Sequence, residues 1–160
     1  MAIDMFLKVS GATGESQDAQ HKGWTHATSF TWGAAQSNKM ASGGGAGAGK
    51  VSFHDLNIVA MIDKCYPAVL KHCSTGKHID QVEIDMCKAG GDQMIFGKIT
   101  LSDVLVTSVY VDGIGANDMA TVHYTFQAAK IKNQYWEQNS HGGKGSESQM
   151  SFNIKENREI

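Results

Sequence analysis

Several groups in this 160-residue chain carry side chains able to do chemistry, and their spacing limits what that chemistry can be. Gly44-x-x-x-x-Gly49-Lys50 has the outline of a phosphate-binding loop. Such a loop needs Ser or Thr after the lysine to hold Mg²⁺, and a helix whose N-terminus faces the phosphates. Here Val51 follows the lysine, and Val51-Ser52-Phe53 reads as a strand, so nucleotide binding is not expected. Ser16, Asp18 and His21 have the residue types of a hydrolytic triad. Three such residues within one loop do not ordinarily converge as nucleophile, base and orienter, and no Gly-x-Ser-x-Gly elbow is present. Glu15 and Asp18 are expected to make turn hydrogen bonds or subunit contacts instead. Seven histidines raise the question of a metal, yet no pair shows His-x-x-x-His on a helix or a cysteine partner at zinc spacing. Cys65, Cys73 and Cys87 lack a metal-like pairing and read as small buried hydrophobes. Trp24, Trp32 and Trp136 read as core or interface anchors, because no basic stripe accompanies them as a base-stacking platform requires. No catalytic residue, cofactor site or metal site is therefore expected.

Composition narrows the class. The formal net charge of −2 carries no nucleic-acid footprint. No apolar run approaches the roughly 20 residues of a membrane span. The first residues alternate like a strand and include Asp4, so they do not read as a signal peptide, and synthesis and folding in the cytoplasm are expected. Eighteen glycines against one proline point to turns and strands in a single domain over residues 1–160.

The elements that would position these residues are mostly strands. Residues 2–9 place Ile3, Met5, Leu7 and Val9 on one face. A long strand then begins near residue 21, with bulk at Trp24, His26, Thr28, Phe30 and Trp32. Its other face, Thr25, Ala27, Ser29, Thr31, Gly33 and Ala35, holds nothing larger than threonine. Phe30 and Trp32 are expected in the core. The face bearing Ser29 and Thr31 lies either under a close-packed neighbour or against water. Residues 37–49 form a glycine-rich loop with little to bury, which suits an arm lent to an assembly. The alternation then slips near His54-Asp55, suggesting a bulge or a break between short strands. Residues 63–75 are the one helical stretch, with Tyr66, Val69, Leu70 and Cys73 making an apolar stripe and Gly76 a stop. Alternation resumes at Val82, Ile84 and Met86, residues 93–111 are rich in β-branched and aromatic types, and alternation returns at Val122, Tyr124 and Phe126. A polar segment, residues 139–148, leads to a last strand with Met150, Phe152 and Ile154. The fold expected is mainly β: a β-barrel or closed sandwich of two packed sheets with one flanking helix, the β-barrel of two packed sheets being the form taken forward.

Read in order, the motifs resemble a known family. They run Gly14-Glu15-Ser16-x-Asp18, His21-Lys22-Gly23-Trp24, Ser29-Phe30-x-Trp32-Gly33, the glycine arm, Val51-x-x-x-Asp55-Leu56 and Asp63-Lys64-x-x-Pro67. Cys73-Ser74-x-Gly76-Lys77-His78 and Lys88-Ala89-Gly90-Gly91 follow. The series resembles the Hcp family, tube subunits of the bacterial type VI secretion system, over essentially the whole chain. Cys65-Tyr66 stands where the family has a serine pair. The resemblance implies a hexameric ring that stacks into a tube, a contractile sheath that expels it, spike or tip components, and small effectors carried in the lumen. It further implies secretion without a signal peptide, no membrane insertion and no enzyme activity. Ser29 and Thr31 would then face the lumen. Ser37, Asn38, Lys39, Met40, Gly43, Gly44, Gly45, Gly47 and Gly49 would contact the next ring. A monomeric ligand-binding barrel or a small hydrolase is the alternative.

Overall fold

The computed structural model describes residues 2–37, 49–89, 93–116 and 120–160. In chain order the strands are β1 (Ile3–Val9), β2 (Thr25–Thr31), β3 (Ala34–Gln36), β4 (Val51–Phe53) and β5 (Leu56–Met61). Helix α1 (Cys65–Thr75) follows. Then come β6 (Ile79–Lys88), β7 (Met94–Gly113), β8 (Ala120–Gln138), β9 (Lys144–Asn153) and β10 (Arg158–Glu159).

Six strands close on themselves. The order β8-β5-β2-β1-β6-β7 returns to β8 because β8 pairs with β5 along one edge and with β7 along the other. Every pairing is antiparallel, and closure leaves these six strands no open edge. Strands β7 and β8, 20 and 19 residues long, run on past the barrel. The second half of β8 pairs with β9, and β9 with β10, so a sheet wing extends from one side.

Alternation fills the barrel. Leu56, Ile58 and Ala60 point inward from β5, Val82 and Ile84 from β6, and Val122, Tyr124 and Phe126 from β8, each no more than 1% exposed. Leu7 and Val9 join them from β1, whereas Ile3, at the end of that strand, is 53% exposed. The slip at His54-Asp55 is a break: β4 pairs with β3 in a separate two-stranded ladder, and β5 enters the barrel. That ladder brackets the arm, most of which (residues 38–48) lies outside the described residues. Strand β9 starts at Lys144, earlier than its apolar pattern shows, because residues 144–149 pair with β8 although they are polar on both of their own faces.

One expected alternation is wrong in phase. The register of β2 against β5 shifts between Ala27 and Ser29, which makes Thr28 the extra residue of a bulge. Before the bulge, Thr25 (1% exposed) and Ala27 face the core; after it, Phe30 and Trp32 do. His26 is turned outward, where its ring tilts over Phe6 at 5.0 Å. Trp24 meets the edge of His21 there, at 4.8 Å. A bulge adds one residue and so exchanges the faces of everything beyond it, which residue types alone do not reveal.

Helix α1 starts two residues later than its pattern suggested, because Asp63 caps it from outside. Asp63 Oδ1 accepts from the Cys65 amide at 3.0 Å, and its Oδ2 accepts from Thr25 Oγ1 at 2.9 Å and the Glu15 amide at 3.1 Å. Glu15 returns the contact, its Oε2 accepting from the Lys64 amide at 3.0 Å. Gly76 ends the helix in the left-handed conformation, φ 69°. The helix lies on β7 with Cys65 and Val69 buried and Tyr66 and Cys73 partly so. Leu70, expected in the core, is 38% exposed. It sits about 100° round the helix from Val69, and this edge of the stripe overhangs the barrel.

Candidate assembly surfaces

The loop with triad-like residue types is a structural pin. Ser16 Oγ accepts from the Asp18 amide at 3.3 Å. His21 is 1% exposed, and both ring nitrogens meet carboxylates, Nδ1 with Asp18 Oδ2 and Nε2 with Asp85 Oδ2, each at 2.8 Å. No imidazole nitrogen remains to take a proton from serine. The ring stacks on Phe6 with centroids 4.1 Å apart and planes at 2°. Lys98 Nζ, 3.4 Å from Asp85 Oδ1, balances the buried carboxylate. Sequence reading missed Asp85, whose alternation gave no sign that a loop covers it. The phosphate-loop outline also fails locally, since the residue after Lys50 opens strand β4. Among the described residues, no three His, Cys, Asp or Glu side chains come together as a metal site. Burial pushes the Cys65 thiol up to about 11, with the Asp63 charge adding to the effect. Burial likewise pushes Cys87 up to about 12, with the Asp85 charge adding to the effect.

The informative surfaces lie on the outside of the barrel. Beyond the bulge, Ser29 and Thr31 are exposed, and the register extends them into two rows. One row runs Ser29, Val59, His123, Tyr110, and the other Thr31, Asn57, Thr125, Ser108. Small polar groups bond along this wall: Thr125 Oγ1 donates to Asn57 Oδ1 at 2.9 Å, and Thr28 Oγ1 to the Val59 carbonyl at 3.2 Å. At one end Asp55 accepts from Thr107 Oγ1 at 3.3 Å and from Gln127 Nε2 at 3.4 Å. A shallow hollow of about 180 Å³ lies between Ser29, Thr31, Asn57 and Thr125. Asn57 and Thr125 were legible only as polar positions between core-facing neighbours; the pairing makes them one wall with Ser29 and Thr31.

A second surface is apolar. On the wing, the face that fills the barrel continues into solvent, leaving Tyr135 54% and Met150 40% exposed. A groove of about 360 Å³ runs between them and Met86, Phe96 and Gly97. At the barrel end near the β7–β8 connection, Ile62, Val111 and Ile114 are 38%, 39% and 61% exposed. Of the residues expected to contact a neighbouring ring, Ser37 and Gly49 flank the β3–β4 ladder. Asn38, Lys39, Met40, Gly43, Gly44, Gly45 and Gly47 lie outside the described residues.

Comparison with known proteins gives a consistent result. A family model described as "Type VI secretion system effector, Hcp" matches residues 6–135. The chain is 39% identical over 159 residues to "Protein hcp1" of Pseudomonas aeruginosa, covering 98% of each. A solved "type six secretion system protein" is 25% identical with TM-score 0.93, covering 99% of this chain and 100% of the other. Hcp1 from Salmonella typhimurium is 31% identical with TM-score 0.84, covering 100% of both chains.

Proposed function

Because the chain belongs to the Hcp family of type VI secretion proteins, we propose that it is the ring-forming subunit of that system's inner tube. Members of the family are structural tube proteins and not enzymes, and a type VI Hcp protein is a secreted protein. Among the described residues no helix is long and apolar enough to cross a membrane.

The observation that carries the ring is the wing. A protomer that exposes Tyr135 and Met150 on a continuation of its own core face leaves apolar area in water. The two apolar surfaces, wing and barrel end, differ from each other. A heterologous contact between unlike patches generates a closed ring when the rotation closes. Six copies close it, as the family implies. The wall of Ser29, Thr31, Asn57 and Thr125 then lines the lumen, where small effector proteins ride. Residues 37–49 reach the next ring, and stacked rings are expelled by a contractile sheath behind spike or tip components. Assembly takes place in the cytoplasm, with release that uses no signal peptide.

Mass photometry of the purified protein tests the ring. The expected species is about 103 kDa, six protomers of 17.2 kDa. A 17.2 kDa species alone, at concentrations well above nanomolar, contradicts the proposal.

A further inference from the structure

The small polar wall ends in a group of three side chains from β7 and β8. Tyr110 lies flat on His123, with ring centroids 4.5 Å apart and planes at 7°. His123 Nε2 meets Asp112 Oδ2 at 2.6 Å. An imidazole N–H donating to that carboxylate fixes the ring plane, and the ring in turn supports the phenol. Tyr110 is 55% exposed and Asp112 57%, whereas His123 beneath them is 27% exposed. The group therefore presents a flat aromatic face beside a carboxylate, at the border of the 180 Å³ hollow. Asp55 marks the opposite end of the same wall, held by Thr107 and Gln127. Between these two carboxylates, the outward positions of β2, β5, β7 and β8 include no lysine or arginine.

We propose that this wall is a cation-accepting surface centred on Tyr110, His123 and Asp112, and that it takes the arginine- and lysine-bearing surface of a polypeptide cargo. The inference rests on reading the wall as the lumen. A carboxylate pairs with a guanidinium through charge-assisted hydrogen bonds, and an exposed phenol face beside it attracts the same cation. Neither group favours an acidic polypeptide or a nucleic acid, because like charges facing each other cost affinity and reject the wrong partner. In a ring every protomer presents the group to one channel. Weak contacts to a single cargo molecule then act together, since each later contact is intramolecular.

Two fluorescein-labelled peptides of equal length, one of Arg-Gly-Ser repeats and one of Glu-Gly-Ser repeats, provide the test by fluorescence anisotropy. A labelled single-stranded oligonucleotide is the third probe, and ring mass is measured on every sample. The arginine peptide should bind, weaken with added salt, and outcompete both anionic probes. Asp112→Asn should weaken it about five-fold, and Tyr110→Ala about three-fold. Glu159→Gln, an exposed acid on β10 away from the wall, should leave binding unchanged. Equal binding of the two peptides, preference for the oligonucleotide, or Asp112→Asn binding like the parent would overturn the proposal. If rings form and the arginine peptide shows no preference, the charge inference alone fails. If no rings form, the tube reading fails with it.

Discussion

Thr31 stands on the outward face of β2, opposite Asn57, with open space before it. A longer polar side chain there meets solvent rather than a packed neighbour. Thr31→Gln should therefore leave ring mass and melting temperature nearly unchanged while altering retention of a co-expressed effector, read by pull-down. A close-packed interface at this position predicts the opposite, with overpacking costing about 1 to 3 kcal/mol and loosening the ring. The thiols give a second residue-scale expectation. Cys65 and Cys87 are pushed up to about 11 and about 12, chiefly by burial, from an ordinary 9.0. Between those values the unfolded chain has lost thiol protons that the folded chain keeps. The contribution to stability is thus intact below pH 9 and is lost as pH rises through 11 and 12. The loss is at most about 1.4 kcal/mol per pH unit for each thiol. In urea melts from pH 8 to pH 12, Cys87→Ala should show a shallower alkaline decline than the parent. Equal slopes would contradict the burial argument.

At the scale of elements, α1 separates two adjacent apolar residues that the sequence treats alike. Val69 is fully buried against the barrel, and Leu70 is 38% exposed. Val69→Ala should cost about 2 kcal/mol, from lost methyl burial and the cavity left behind. Leu70→Ala should cost under about 1 kcal/mol in protomer stability, measured by urea unfolding at low concentration. The reverse order would mean that the helix is rotated on β7. Strand β2 carries the larger lesson. Phe30 and Trp32 pack inward as their bulk suggests, but Trp24 and His26 do not share their face, because Thr28 bulges. Apolar bulk was readable at each position; the phase between the two halves depends on the register with β5, which forms across 31 residues of chain.

For the whole molecule, the arm offers the clearest expected outcome. Replacing residues 43–49 with a short turn should leave rings intact, since no strand of the barrel or wing includes any of them and Gly49 lies beside the separate β3–β4 ladder. End-to-end tubes, seen by electron microscopy, and secretion should both be lost. Normal secretion by the shortened protein would remove the stacking role.

The sequence by itself determined that the chain is mainly β with one helix, because alternation and the 3.6-residue stripe are local properties of the residues. It also determined the helix stop at Gly76 and the loss of phase at His54-Asp55, which the strand pairing resolves as a break rather than a bulge. It argued against a triad from spacing alone, and the carboxylates on both His21 nitrogens give the physical reason. Closure of the barrel was decided only by tertiary structure, since β8 must meet both β5 and β7, partners far apart in the chain. The wall that joins Ser29 and Thr31 to Asn57, Thr125 and the Tyr110 group belongs to the same class. Its members come from four strands, and only the register of antiparallel pairing, fixed by packing a shared core, brings them to one face.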